Sequence, residues 1–222
     1  MDAATFVKHI QNLLEDARNP EQAEGMQAYM KNHFVFLGIK TPERKLLITD
    51  PLRSLDPSEA LHTAQLLWYF PEREFQYVGL DVLEKHHKAL KPTDLPALRQ
   101  LIESRSWWDT VDALATKCVG LLVLRHPELR QEMDLWIEDE NMWVRRTALL
   151  HQLKHRRKTD SERLFEYCLK QANGPDFFIR KAMGWALREY AKTRPEEVQR
   201  FVEQHQAHLS GLTVREALKH FD

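Results

Sequence analysis

The chain has 222 residues, 43% hydrophobic and 29% charged, enough to bury a substantial core and too apolar to stay disordered. Its 7 glycines are about half the usual frequency, and no β-branched runs between Gly-rich turns occur, which excludes sandwiches, barrels and Gly-loop nucleotide folds. The net charge of −1 conceals an asymmetry: residues 1–140 carry 16 Lys+Arg against 23 Asp+Glu, net −7, and residues 141–222 carry 16 against 10, net +6.

The first helix is marked by Phe6, Ile10, Leu13 and Leu14 at helical spacing. Residues 1–15 mix Asp2, Lys8, His9 and Glu15 among the apolar positions, without the basic-then-apolar order of a secretory signal. Pro20, Pro42, Pro57, Pro71, Pro92, Pro96, Pro127, Pro175 and Pro195 then cut the chain into segments of helical length. Many of these prolines fall in a first turn, where the missing N–H costs little. Roughly a dozen short helices are expected, joined by connections too short to be linkers, so residues 1–222 read as a single all-α domain. The longest apolar run, residues 119–124, is far short of the roughly 20 residues of a membrane span. Cys118 and Cys168 lie too far apart for a CxxC motif and read as buried small hydrophobes, with a disulfide as the alternative. A cytoplasmic protein is expected.

An internal period organises the second half. Val144-Arg145-Arg146-Thr147-Ala148, Ile179-Arg180-Lys181-Ala182-Met183 and Val214-Arg215-Glu216-Ala217-Leu218 are each displaced by 35 residues. Fuzzier members open on aromatics at Phe75, at Trp107 and Trp108, at Trp143, and at Phe177 and Phe178. A helix-pair repeat of this length predicts a HEAT-like solenoid whose second helices line a concave groove. Arg146, Lys181 or Arg188, and Arg215 are then expected in a row along it, an arrangement suited to a phosphate backbone. The plainer alternative is a set of solvated helix faces.

The segment Ser106-Trp107-Trp108-Asp109-Thr110-Val111-Asp112 opens a helix with two tryptophans and two carboxylates. Trp108 and Asp112 are i and i+4 and, at about 100° per residue, share a face, while Trp107 faces elsewhere and reads as core. An indole beside a carboxylate can hold a sugar ring and offset developing oxocarbenium charge. On the residues alone, a core indole next to a helix N-terminal charge is the simpler reading. Trp185 and Arg188 sit in the next basic repeat but one, where a core tryptophan is again the simpler reading and a wall for a nucleotide sugar the sharper one.

Other chemistries fit poorly. His151 and His155 are an i, i+4 pair, but Gln152 replaces the glutamate of a zinc-protease motif, so they read as solvated or phosphate-facing. Glu138-Asp139-Glu140 reads as favourable charge before a helix starting at Asn141. No Walker loop, GxSxG elbow or Cys/His dyad is present, and no metal or cofactor is expected.

The chain resembles the AlkD family of bacterial DNA alkylation-repair glycosylases, which are built from HEAT-like repeats. The resemblance is carried by Tyr29-Met30-Lys31-Asn32-His33-Phe34, Leu37-Gly38-Ile39, Thr41-Pro42-Glu43-Arg44, Pro71-Glu72-Arg73-Glu74-Phe75-Gln76, and residues 106–112, 141–146 and 177–193, and it extends from about Phe6 to Phe221. It implies hydrolysis of the N-glycosidic bond of N3- and N7-alkylated purines in duplex DNA without flipping of the base. By the same resemblance Asp112 is the catalytic carboxylate, Trp108 and Trp185 pack on the lesion's deoxyribose, and Arg146, Lys154, Arg188 and Tyr29 contact DNA. No lysine stands in the place of Asp112 to form a Schiff base, so simple hydrolysis is expected. A non-catalytic DNA-binding relative and a HEAT scaffold for an acidic partner helix are the alternatives; a monomer is expected, nucleoid-associated when on DNA.

Overall fold

A computed structural model describes residues 1–221. The helices are α1 (Ala3–Asp16), α2 (Pro20–Tyr29), α3 (Thr41–Leu47), α4 (Thr49–Ser54), α5 (Ala60–Trp68), α6 (Arg73–Lys85), α7 (Leu95–Glu103), α8 (Trp108–Ala113), α9 (Gly120–Arg125), α10 (Arg130–Trp136), α11 (Met142–Leu150), α12 (Ser161–Gln171), α13 (Phe177–Ala191), α14 (Pro195–His205) and α15 (Gly211–Ala217). Among the described residues the only extended pairing is an isolated bridge between Val35 and Glu72. The all-α expectation therefore holds. Helix starts follow local chemistry: Asp2, Asn19, Asn141, Asp160 and Ser210 accept N-cap hydrogen bonds, and proline occupies the first turn of α2, α3, α7 and α14. No described helix is long and apolar enough to cross a membrane.

The chain divides into two compact units, residues 1–90 and residue 91 onward. In the first, Phe6, Ile10 and Leu14 of α1 are fully buried with Leu37, Ile39, Leu67, Phe75, Val78 and Val82. Each such side chain contributes about 1.5–3 kcal/mol on burial. The loop before α3 is fixed by a carboxylate. Glu74 is fully buried and accepts from the backbone N–H groups of Leu37, Gly38 and Ile39 at 3.0, 2.9 and 3.1 Å. Gly38 has φ 92°, and a Cβ there would lie 1.9 Å from the Asn19 carbonyl oxygen, so only glycine fits. The chain strings at residues 37–39 and 71–76 thus belong to one structural knot.

In the second unit the 35-residue period becomes visible as alternate helices. Its three strings lie on α11, α13 and α15, and α8 packs on α11, α11 on α13, and α13 on α15, forming one layer. α10 packs on α11, and α12 and α14 pack on α13, as helix pairs require. The fourth residue of each string, Thr147, Ala182 and Ala217, is fully buried between helices. The second residue has a different task. Arg145 donates to the carbonyls of Asp139 and Glu140 and pairs with Asp176, and Arg180 donates to the Gly174 carbonyl, so these arginines tie each helix to its entry loop.

Two glycines set the spacing of this layer. A Cβ on Gly184 of α13 would lie 2.4 Å from the Cβ of Glu216 on α15, and one on Gly120 would lie 2.0 Å from the His151 carbonyl oxygen. Between α8 and α9 the helix widens into a π-helical segment, Leu114–Val119, a feature that often marks functional sites. The side chain of Thr116 in this segment donates to the Asp112 carbonyl at 2.8 Å.

His151 and His155, expected at the surface, are instead buried. Their Nδ1 and Nε2 atoms bond the carbonyls of Ala148 and Gly120 at 2.6 and 2.8 Å, with the two rings edge to face. Burial, with His155 beside it, pushes His151 down to about 3, so it is a neutral core residue; burial lowers His155 as well. The i, i+4 spacing was that of a core face, because α11 ends in a turn that folds back over Gly120. Cys118 and Cys168 are both buried thiols with no disulfide, and burial raises the Cys168 thiol well above its ordinary range.

Candidate active site

Nine residues from four helices converge on an open cleft of about 420 Å³ in the second unit: Trp108 and Asp112 from α8, Arg146 from α11, Phe177, Phe178, Lys181, Trp185 and Arg188 from α13, and Glu216 from α15. The i, i+4 spacing of Trp108 and Asp112 puts both on the cleft wall, as expected. On α13, Lys181, Trp185 and Arg188 follow at i, i+4 and i+7, one stripe of a helix. Trp107 faces the other way and packs against Trp143 and Phe178, with ring centroids 5.8 and 5.1 Å away. That aromatic cluster supports the floor on which Arg146 lies.

Asp112 is held by Arg146 through two parallel hydrogen bonds, Nε to Oδ1 at 2.7 Å and Nη2 to Oδ2 at 2.8 Å. The remaining Arg146 nitrogen, Nη1, donates to the Phe178 carbonyl. Burial pushes the Asp112 pKa above its ordinary value, and the Arg146 guanidinium opposes that rise without cancelling it. The carboxylate is therefore fixed in position, mostly dehydrated, and open on the cleft side, with its side chain 16% exposed.

The expected row of cations is built differently. The cleft-facing position is the third residue of each repeat, occupied by Arg146, Lys181 and Glu216. Arg215, expected in the row, is the second residue and lies one helical step, about 100°, away. It is exposed and lies over Gly211 at the start of its own helix, so it does not line the cleft. Glu216 instead bridges Lys181 and Arg188, with 2.6 Å contacts to each. Lys181, ahead of Arg188, draws its carboxyl below the ordinary range, against the opposing effect of burial. The cleft holds three cations and two carboxylates, and both carboxylates are paired.

Two of the expected DNA contacts stand outside this cleft. Lys154 is exposed on the turn after α11, and Tyr29, at the end of α2, belongs to the first unit and is 73% exposed. Phe177, Phe178 and Glu216 went unrecognised as cleft residues in the sequence. The signal for Glu216 was available in the third position of the repeat; Phe177 and Phe178 read only as the aromatic opening of a helix. Among the described residues no group of three His, Cys, Asp or Glu side chains could hold a metal ion.

The second unit is thus a layered all-α repeat carrying an aromatic cleft with a half-buried, arginine-held carboxylate. Residues 10–221 match the family described as DNA alkylation repair enzyme, and the chain belongs to that family. Its structure is similar to that of a protein from Enterococcus faecalis described as a predicted DNA alkylation repair enzyme, with 34% identity, a TM-score of 0.84, and coverage of 91% of this chain and 96% of that one. It also shares its fold with smu.31 from Streptococcus mutans UA159, at 15% identity and a TM-score of 0.65, covering 98% and 100% of the two chains. No curated protein matches.

Proposed function

We propose that this chain is a monofunctional DNA glycosylase of the AlkD type, hydrolysing the N-glycosidic bond of cationic N3- or N7-alkylated purines in duplex DNA. The observation that carries the reading is the Asp112 carboxylate, fixed by Arg146 in a cleft walled by Trp108 and Trp185. Alkylation makes the purine a good leaving group. When the C1′–N bond breaks, its electron pair goes to the purine, which departs neutral and needs no general acid. A single anion then suffices, whereas most glycosidases use two carboxylates. Asp112 offsets the positive charge that develops on the sugar and orients the water that adds at C1′, and the water's proton passes to Asp112 or to solvent. The faces of Trp108 and Trp185 hold the deoxyribose and, through their π-electrons, favour the same cation.

The lesion is held through its sugar and backbone against a concave face, without extrusion of the base. Arg188, Lys154 and Tyr29 contribute DNA contacts outside the reacting atoms, and the protein acts as a monomer in the cytoplasm, on nucleoid DNA. The test is incubation with methylated duplex DNA, followed by separation of free bases and, in parallel, strand analysis with and without alkali. Free 7-methylguanine or 3-methyladenine is expected, with strand breaks only after alkali, the mark of an intact abasic product. Duplex binding with no base released overturns the catalytic reading in favour of a non-catalytic DNA-binding relative.

A further inference from the structure

Glu216 is absorbed neither by the chemistry above nor by packing alone. Its helix, α15, is pressed on α13 through Gly184, which leaves no room for a Cβ, and through a hydrogen bond from the Thr213 hydroxyl to the Arg180 carbonyl. That close approach forces the Glu216 side chain between the two cleft cations of α13. Its oxygens divide between them, Oε1 to Lys181 Nζ and Oε2 to Arg188 Nη1, each at 2.6 Å. A salt bridge that only stapled two helices would need one cation. A carboxylate spanning two cations that both face an open cleft has the charge and two-oxygen geometry of a bound phosphate.

We propose that Lys181 and Arg188 form a backbone-phosphate site and that Glu216 occupies it as an internal anion, so that a DNA phosphate binds there only by displacing the Glu216 carboxylate. The inference rests on the reading of duplex DNA as the partner. Its physical consequence is a lowered affinity for DNA of any sequence or damage state. Displacement exchanges one anion for another, so little net attraction is gained at two cations that would otherwise each release counterions. The cleft is thereby kept from holding undamaged DNA tightly, and selectivity is left to the Asp112 end, where only a cationic lesion reacts.

The experiment measures duplex affinity against salt concentration for the parent, for Glu216→Gln and for Glu216→Gln with Arg188→Ala, using undamaged and methylated duplexes of one sequence. Thermal melts establish that each variant is folded, and Glu216→Ala, which also removes the charge and keeps the Cβ packed at Gly184, serves if the glutamine variant does not fold. Glu216→Gln is expected to bind both duplexes several-fold more tightly. The slope of log affinity against log salt should steepen by about 0.9 for each phosphate gained. The Arg188→Ala change should abolish most of that gain. A folded Glu216→Gln, or Glu216→Ala in its place, with the parent's affinity and slope would make Glu216 a structural staple and overturn the inference alone. Absence of duplex binding by the parent would overturn the DNA reading and the inference together.

Discussion

Two carboxylates, one in each unit, the first buried and the second half-buried, are held in opposite ways. Glu74 in the first unit is sealed from solvent and satisfied by three peptide N–H groups of one loop. Asp112 in the second is satisfied by a side-chain cation and keeps one side open to a cleft of about 420 Å³. A carboxylate that accepts three backbone bonds and has no exposed surface is out of reach of any ligand and serves to shape the loop. One bonded to a guanidinium retains lone pairs directed outward, and its charge is available to whatever enters. Burial alone therefore does not identify a reactive group; the identity of its partners and the direction of its open side do.

The largest effect expected from this contrast is on catalysis. Asp112→Asn keeps the shape and removes the charge, and should lower excision by about 10²–10³, the cost of losing one preorganised electrostatic partner of a transition state. Glu74→Gln should do the reverse: a loss of about 3 kcal/mol in urea unfolding, because a buried amide replaces a carboxylate that accepts three bonds, with the excision rate of the folded fraction unchanged. Loss of activity without loss of stability in the Glu74 variant would break the comparison. A smaller effect, about tenfold on excision, is expected for Trp185→Ala, in line with the ~1–3 kcal/mol attached to one aromatic stacking partner.

The smallest effects concern pH. If Asp112 acts as the proposed catalytic carboxylate, activity should fall on acidification with a midpoint above the ordinary aspartate value of 3.8, since burial raises this group. The sign follows for stability too: a carboxyl raised on folding contributes stability below its unfolded value, and that contribution is lost as pH rises through the folded one. Arg146→Ala removes the cation that favours the ionised form, so the acid limb should move to still higher pH. A limb that stays in place would show that Arg146 does not tune Asp112.

Much of this was legible in the sequence because helices have a fixed geometry. Proline and capping side chains marked the helix starts, the 35-residue period marked the layer of α11, α13 and α15, and the i, i+4 relation of Trp108 and Asp112 anticipated a shared wall. What was not legible depends on register or on long-range packing. Arg215 was placed in the cleft by its charge, although the cleft-facing position of the repeat belongs to Glu216. His151 and His155 looked polar, yet each bonds a single carbonyl in the core, which no local pattern announces. The role of Glu74 is set by a loop 35 to 37 residues away in the chain. The π-helical widening after Asp112 likewise has no signature in residues 114–119.

The central claim is that the arginine-held carboxylate at Asp112 performs the chemistry. Single-turnover release of 7-methylguanine from methylated duplex DNA, run for the parent and for Asp112→Asn at saturating protein and with duplex affinity recorded for both, tests it most directly. Release by the parent, its near-loss in the variant and similar affinities are the predicted result. Release by Asp112→Asn at the parent rate would contradict the account.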